Sequence, residues 1–109
     1  MTESFDQHTA YCITACNDCA TDCGHCFAHM VGNTSSNSCP ACCIECAALC
    51  RITADAIARH SPYAKRLAAL CAEACDWCAK ECGEHAMDHC KRCAASCVRC
   101  ADACRAMAA

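Results

Sequence analysis

The stretch from His85 to Cys104, HAMDHCKRCAASCVRCADAC, combines five cysteines with His85, Met87 and His89. The cysteines follow one another at steps of 3, 4, 3 and 4 residues, and they are Cys90, Cys93, Cys97, Cys100 and Cys104. This spacing places their side chains on one face of an α-helix, where Leu or Ile would usually form a core. Thiolates, thioethers and imidazoles are soft or borderline metal ligands. The stretch therefore predicts a helix with a metal-binding face made of sulfur.

Three further groups of cysteines have the same helical spacing. They are Cys12, Cys16, Cys19, Cys23 and Cys26; Cys39, Cys42, Cys43, Cys46 and Cys50; and Cys71, Cys75, Cys78 and Cys82. Successive cysteines within every group are three or four residues apart, except for the adjacent pair Cys42 and Cys43. Met30 occupies the next position on the helix face after Cys26. Few Gly or Pro residues lie between the cysteines, so the groups predict helices rather than the loops of a zinc site.

Start and stop signals divide the chain into helices. We predict them over residues 4–31, 39–60, 62–82 and 86–107. Ser4 in a capping box, Ser38, and Ser61 before Pro62 are the predicted N-terminal signals. The connections are short, which favours antiparallel neighbours. We therefore predict an all-α fold, an antiparallel up-down four-helix bundle with a cysteine-lined core, forming a single metal-binding domain over residues 1–109.

An antiparallel bundle gathers different side chains at its two ends. One end, which we call the histidine end, is predicted to receive Cys26, Met30, Cys39, Cys42, Cys43, Cys82, His85, Met87, His89 and Cys90. The opposite or distal end is predicted to receive Phe5, His8, Tyr11, Ile57, His60, Tyr63, Leu67 and Met107. The first set is rich in soft ligands, and the second is predicted to pack as a mostly apolar plug that closes the bundle. We therefore expect metal to enter at the histidine end. The pattern assigns no role to His25 and His29.

Composition limits the classes of partner. The net charge is −3, and residues of both signs are interspersed, so there is no basic patch for nucleic acid or an anionic membrane. The N-terminus, MTESFDQHTA, lacks the basic and apolar segments of a secretory signal, and no apolar run approaches the roughly 18 residues that span a bilayer. We expect a cytoplasmic protein. In a reducing cytosol, many cysteines indicate metal or redox chemistry rather than a disulfide framework.

Cu(I) suits such long rows of thiols. Zinc requires closed sets of about four ligands, and iron–sulfur clusters require a few cysteines around a compact centre. Each row here extends over roughly 20 Å of helix, at about 1.5 Å per residue. Cu(I) accepts two or three soft ligands, and thiolates can bridge neighbouring ions. The predicted ligands of multiple Cu(I) ions are the 19 cysteines together with Met30, His85, Met87 and His89.

The predicted function is storage or sequestration of Cu(I) in the cytosol, without enzymatic activity. The uniform rows single out no nucleophilic cysteine with a partner base. Two alternatives stay open from the residues: a zinc- or cadmium-sequestering protein similar to metallothioneins, and a thiol–disulfide redox protein.

The chain resembles the cytosolic bacterial copper storage proteins, a family of cysteine-rich four-helix bundles. The features that carry the resemblance cover essentially the whole chain. They are the rows Cys12 to Cys26, Cys39 to Cys50, Cys71 to Cys82 and Cys90 to Cys104, with His85, Met87 and His89 before the last row. The resemblance implies that core cysteines hold Cu(I), that copper enters at the end with His and Met residues, and that four bundles form a homotetramer. We also expect exchange of copper with a copper chaperone or a copper-requiring enzyme.

Overall fold

Four helices form the protein in a computed structural model that describes residues 5–109. They are α1 (Gln7–Met30), α2 (Ala41–Ala58), α3 (Ala64–Gly83) and α4 (Asp88–Ala108). Each helix packs against the helices that precede and follow it, and α1 closes the bundle against α4. The described residues span 51 × 24 × 17 Å, an elongated bundle. The predicted all-α four-helix bundle with a cysteine-lined core is confirmed.

The core of the bundle consists mostly of Cys and Ala side chains. All nineteen cysteines are buried, and the buried alanines include Ala20, Ala47, Ala72 and Ala101. Ala has the highest intrinsic helix propensity, and buried Cys behaves as a small hydrophobic residue. Periodic Cys and Ala therefore both support the helices and fill the space between them. Because these side chains are small, the cysteine sulfurs of facing helices come into contact along the bundle axis.

The first turns of the helices differ from the predicted ones. Ser4 lies outside the described residues, and the N-cap of α1 is Asp6, whose carboxylate accepts a hydrogen bond of 2.8 Å from the backbone N–H of Thr9. The predicted N-cap of α2, Ser38, is wrong, because α2 begins at Ala41 and its N-cap makes no side-chain hydrogen bond. The backbone carbonyl of Ser38 instead accepts a hydrogen bond of 3.0 Å from the Cys42 N–H.

The turn between α2 and α3 explains why α2 stops at Ala58 rather than at residue 60. His60 has a positive φ of 56°, and its N–H donates to the carbonyl of Ile57. The N–H of Ser61 donates to the carbonyl of Ala56, which completes a Schellman ending. The Ser61 hydroxyl accepts from the N–H of Tyr63, so it supports the turn and not the first helical residue, Ala64.

The distal end is less apolar on the inside than predicted. Ile57 is buried there, but Phe5, Tyr11 and Tyr63 are exposed, and the predicted apolar packing is wrong for these three rings. The interior at this end is filled by smaller side chains, including the buried Thr53, Ala54 and Ala68. Helical register placed the aromatic residues at the correct end, but in the bundle their rings lie outside the closely spaced helices.

Candidate metal centre

The sulfur atoms of the nineteen cysteines form one continuous column, which we call the thiol column. Every Sγ atom lies within 4.0 Å of another Sγ atom. The pair Cys26–Cys90 connects to the others at a longer distance, since the Cys26 sulfur lies within 4.8 Å of those of Cys39, Cys43 and Cys82. All nineteen are free thiols. The helical spacing seen in the sequence explains the inward direction of the cysteines that lie within the four helices. Cys39 lies in the turn before α2, and its sulfur is 3.8 Å from that of Cys82. The pairing of the helices explains why the four rows meet.

The closest sulfurs come from different helices. Cys46 on α2 lies 3.5 Å from Cys75 on α3, and Cys23 on α1 lies 3.5 Å from Cys93 on α4. Sulfurs one turn apart on the same helix are slightly farther apart, for example 3.9 Å between Cys19 and Cys23. A metal ion in the column would therefore take ligands from two or more helices, and binding would join the helices together.

Groups of four cysteines suited to a metal ion share members along the column. Cys19 and Cys46 belong to one group with Cys50 and Cys75 and to another with Cys23 and Cys97, each group having its sulfurs within 4.8 Å of one another. Isolated tetrahedral sites cannot share all their ligands in this way. Thiolates that bridge neighbouring ions can, because each sulfur then serves two positions. The overlap favours a polynuclear thiolate assembly.

At the histidine end, the column finishes in a mixed nitrogen and sulfur group. The Nδ1 atom of His89 lies 3.5 Å from the Sγ atoms of both Cys26 and Cys90. The two sulfurs are 3.7 Å apart. These three atoms can serve as the ligands of one soft ion, since Cu(I) accepts three-coordinate geometry with imidazole and thiolate.

Burial keeps these three groups neutral in the metal-free protein. Desolvation raises the pKa of Cys26 and of Cys90 above the ordinary thiol range. Desolvation, followed by the charges of His29 and His25, lowers the pKa of His89. A neutral imidazole offers a lone pair at once, whereas each thiol must lose its proton to become a strong ligand. A metal ion that binds here therefore displaces the thiol protons of Cys26 and Cys90.

The remaining predicted ligands, Met30, Met87 and His85, differ in their burial and in their contacts. Met30 is buried in the core cluster, in register with the cysteines of α1. Met87 is 41% exposed and stands immediately before α4. The Nε2 atom of His85 lies 3.0 Å from Oδ1 of Asn37, which holds the ring against the connection between α1 and α2. Of the three residues before the last cysteine row, the structure brings His89 into contact with the thiol column.

Two histidines without a predicted role lie beside His89. The rings of His25 and His29 have centroids 4.3 Å apart, and the rings of His29 and His89 have centroids 5.1 Å apart. The spacing of four residues between His25 and His29 is the sequence signal that points to a shared helix face. Nothing in the sequence alone places His89 next to them, because it follows on a helix 60 positions later than His29.

None of the helices in residues 5–109 has the length and apolar character required for a membrane span.

Comparisons with known proteins agree with this architecture. The cysteine-rich protein YhjQ of Bacillus subtilis (strain 168) is 40% identical over 107 residues, covering 95% of this chain and 99% of that protein. The Cu(I)-bound copper storage protein BsCsp3 is 40% identical with a TM-score of 0.88, covering 94% of this chain and 100% of that one. Apo-Csp3 (copper storage protein 3) from Bacillus subtilis is 42% identical with a TM-score of 0.83, covering 93% of this chain and 99% of that one. The sequence profile described as copper storage protein matches residues 5–109, and the chain therefore belongs to the copper storage protein (Csp) family.

Proposed function

We propose that this protein stores multiple Cu(I) ions on the thiolates of its core cysteines. The observation that carries the proposal is the continuity of the thiol column, in which all nineteen buried sulfurs contact other sulfurs. The similarity to a copper storage protein in its Cu(I)-bound form supports it. The proposed ligands are the nineteen cysteines, and residues 1–109 form a single metal-binding domain.

Storage of many Cu(I) ions in the buried core is electrostatically feasible. Each Cu(I) ion that replaces a thiol proton leaves the net charge of the core unchanged. The usual penalty for burying an isolated charge is therefore avoided. If each thiolate bridges two ions and each ion takes about two thiolates, capacity approaches one ion per cysteine, on the order of 15–20 ions per chain.

Zinc or cadmium sequestration, thiol–disulfide chemistry and catalysis are each less consistent with the geometry of the thiol column. Zinc or cadmium in closed four-sulfur sites could occupy only some of the overlapping groups at one time. A thiol–disulfide protein needs selected cysteine pairs, whereas Cys46 has sulfurs of several partners at 3.5–3.9 Å. Catalysis by a cysteine needs an open pocket for a substrate, but these thiols are buried. We therefore propose a binding role rather than an enzymatic one.

We propose that copper enters at the histidine end. His89 contacts the first sulfurs of the column, Cys26 and Cys90, and Met30 continues the α1 row at the same end. Met87 is exposed beside this position and can make the first contact with an arriving ion. His85 lies on the rim, where its contact with Asn37 limits it to a secondary part in transfer.

We further propose a cytoplasmic location, exchange of copper with a chaperone or a copper-requiring enzyme, and assembly as a homotetramer. A core of nineteen free thiols requires a reducing compartment to remain available for metal. Exposed apolar side chains on the outer faces of α2 and α3, such as Ile44, Ile52 and Leu70, are compatible with subunit contacts.

The test is an anaerobic Cu(I) titration of the reduced protein against a competing chelator of known affinity. We expect saturation on the order of 15–20 ions per chain. Saturation at one to four ions would contradict storage. A parallel titration with Zn(II) separates the alternatives: if Zn(II) displaces Cu(I), or if the reduced apoprotein folds only with Zn(II), zinc sequestration is the better description. Helical circular dichroism of the fully reduced apoprotein would exclude a fold that depends on disulfides.

A further inference from the structure

Three imidazoles stand together on the outside of the histidine end. His25 and His29 are exposed on one face of α1, and His89 is half-buried in the first turn of α4. Successive ring centroids are 4.3 Å and 5.1 Å apart. We call this set the histidine triad. The histidine triad is distinct from the thiol column, although one of its members, His89, also contacts the column sulfurs of Cys26 and Cys90.

The ring separations in the triad are close to those in a metal site. In a tetrahedral site with metal–nitrogen distances of about 2.0–2.1 Å, the centroids of two ligating imidazoles lie about 5 Å apart. Two histidines four residues apart on one helix face form a common chelating pair for zinc. A third imidazole from a second helix completes a three-nitrogen set and leaves the fourth position open. His25 and His29 are exposed, so small changes of rotamer can adjust their nitrogens.

The ligand type selects a class of ion. Imidazole nitrogen is a borderline ligand that suits Zn(II), Ni(II) and Cu(II), whereas the thiol column suits Cu(I). We propose that His25, His29 and His89 form a separate site for one divalent transition-metal ion at the histidine end. This part of the inference does not depend on copper storage.

The shared His89 links the divalent site to the column. Its Nδ1 atom faces the sulfurs of Cys26 and Cys90, which leaves Nε2 for the ion held by His25 and His29. A divalent ion there fixes the His89 ring over the end of the column. Bound divalent metal therefore slows the passage of Cu(I), a consequence that does rest on the proposed storage function.

Ni(II) is a suitable probe, because thiols reduce Cu(II) but leave Ni(II) in its divalent state. The protein is first saturated with Cu(I), so that the thiols are occupied, and the Cu(I) content of each sample is measured. Ni(II) is then added anaerobically and bound Ni(II) is quantified by equilibrium dialysis. We expect one Ni(II) per chain, with ligand-field absorption and no sulfur-to-nickel charge-transfer band. In samples whose measured Cu(I) content shows that the thiols are occupied, a charge-transfer band or no bound Ni(II) would overturn the site.

Variants separate the triad from other histidines. His29→Ala and His25→Ala should lose the bound Ni(II) while keeping the Cu(I) content and helicity of the unmodified protein. The matched control is the double variant His8→Ala/His60→Ala, which removes two exposed histidines at the distal end and should bind Ni(II) normally. Equal binding by His29→Ala and the parent protein would overturn the site. A low Cu(I) content would count against copper storage alone.

The kinetic consequence is tested by removing Cu(I) with an excess of chelator, with and without one equivalent of Ni(II). We expect severalfold slower removal from the Ni(II)-loaded parent protein and no effect of Ni(II) on His29→Ala. Identical rates with and without bound Ni(II) would show that the divalent ion does not control access to the column.

Discussion

The Nδ1 atom of His89 lies 3.5 Å from the Sγ atom of Cys26, although the two residues are 63 positions apart in the chain. The contact joins the start of α4 to the end of α1. It is possible because these helices are antiparallel, which also brings Cys12 and Cys104 together at the distal end. Through this contact an imidazole lies directly over the end of the thiol column. We propose His89 as the first internal ligand for arriving copper.

Replacing His89 by Ala should slow Cu(I) uptake and leave capacity nearly unchanged, because one terminal ligand is lost while all nineteen thiols remain. Stopped-flow measurement of Cu(I) transfer from a chelator checks the rate, and titration checks the capacity. His85→Ala is the matched control, since its ring contacts Asn37 and should have a smaller effect on rate. A large loss of capacity in His89→Ala would show that His89 is an essential ligand of the assembly.

Cysteines in the middle of the column should contribute more to capacity than those at its margin. Cys46 and Cys42 are both fully buried, so replacing either by Ala removes the same buried atoms. The Cys46 sulfur lies within 4.0 Å of four others, those of Cys19, Cys50, Cys75 and Cys97. Within residues 5–109, the Cys42 sulfur has a single such contact, with the Cys82 sulfur at 3.9 Å.

We therefore expect Cys46→Ala to lower the Cu(I) capacity by about two ions and Cys42→Ala by about one or fewer. Anaerobic titration of both variants, with copper counted by atomic absorption, measures the difference. Equal losses would mean that the ions do not share bridging thiolates in the way that the overlapping sulfur groups indicate.

The metal-free protein should lose stability in alkaline solution. Burial raises the pKa of Cys26 above its ordinary value of 9.0 and raises that of Cys90 in the same direction. The unfolded chain then loses these thiol protons at lower pH than the folded chain does. The stabilisation is fully present below the ordinary thiol pKa and decreases as pH rises through the folded-state values.

Thermal unfolding of the reduced apoprotein, followed by circular dichroism between about pH 7 and 11, tests this dependence on thiol ionisation. The melting temperature should fall above the ordinary thiol pKa. The Cu(I)-loaded protein is the control, because its thiols have already lost their protons and its melting temperature should change less over this range. A melting temperature of the apoprotein that stays constant or rises across the alkaline range would contradict the burial of neutral thiols.

Ser96 should stabilise the packing of α1 against α4. Its buried hydroxyl donates to the carboxylate of Asp22 and accepts a hydrogen bond of 3.0 Å from Arg99. Ser96→Ala removes the donor and leaves Asp22 with the longer contact of 3.7 Å to Arg92. We expect a loss of about 1.5 kcal/mol in the free energy of unfolding, typical of a hydrogen bond to a charged group.

Urea unfolding of the reduced apoprotein measures this loss. The control is Thr21→Ala, because Thr21 is exposed and its hydroxyl donates to the carbonyl of Asn17 within its own helix. It should change stability by only a few tenths of a kcal/mol, as is usual for surface positions. Equal effects of the two substitutions would show that the Asp22–Ser96 contact adds nothing to the helix pairing.

Helix boundaries were harder to predict than the helices themselves. The spacing of the cysteines is strong evidence for helix, because it repeats over many turns. A boundary depends on a few competing hydrogen bonds instead. Ser38 is a good N-cap by type, yet its hydroxyl makes no cap, and α2 begins at Ala41. His60 continues the α2 spacing but adopts a positive φ that ends the helix early.

The sequence by itself determined the four helices and the inward direction of the cysteines within them, because the period of an α-helix converts steps of three and four into one face. Cys39, in the turn before α2, is buried by the tertiary packing instead. Only the tertiary structure decided which sulfurs meet, since that depends on the rotation and shift of one helix against another. It also decided that His89 contacts Cys26 whereas His85 contacts Asn37, and that the ring of His29 lies next to that of His89. Periodicity is local information, whereas these contacts exist only after distant segments have packed.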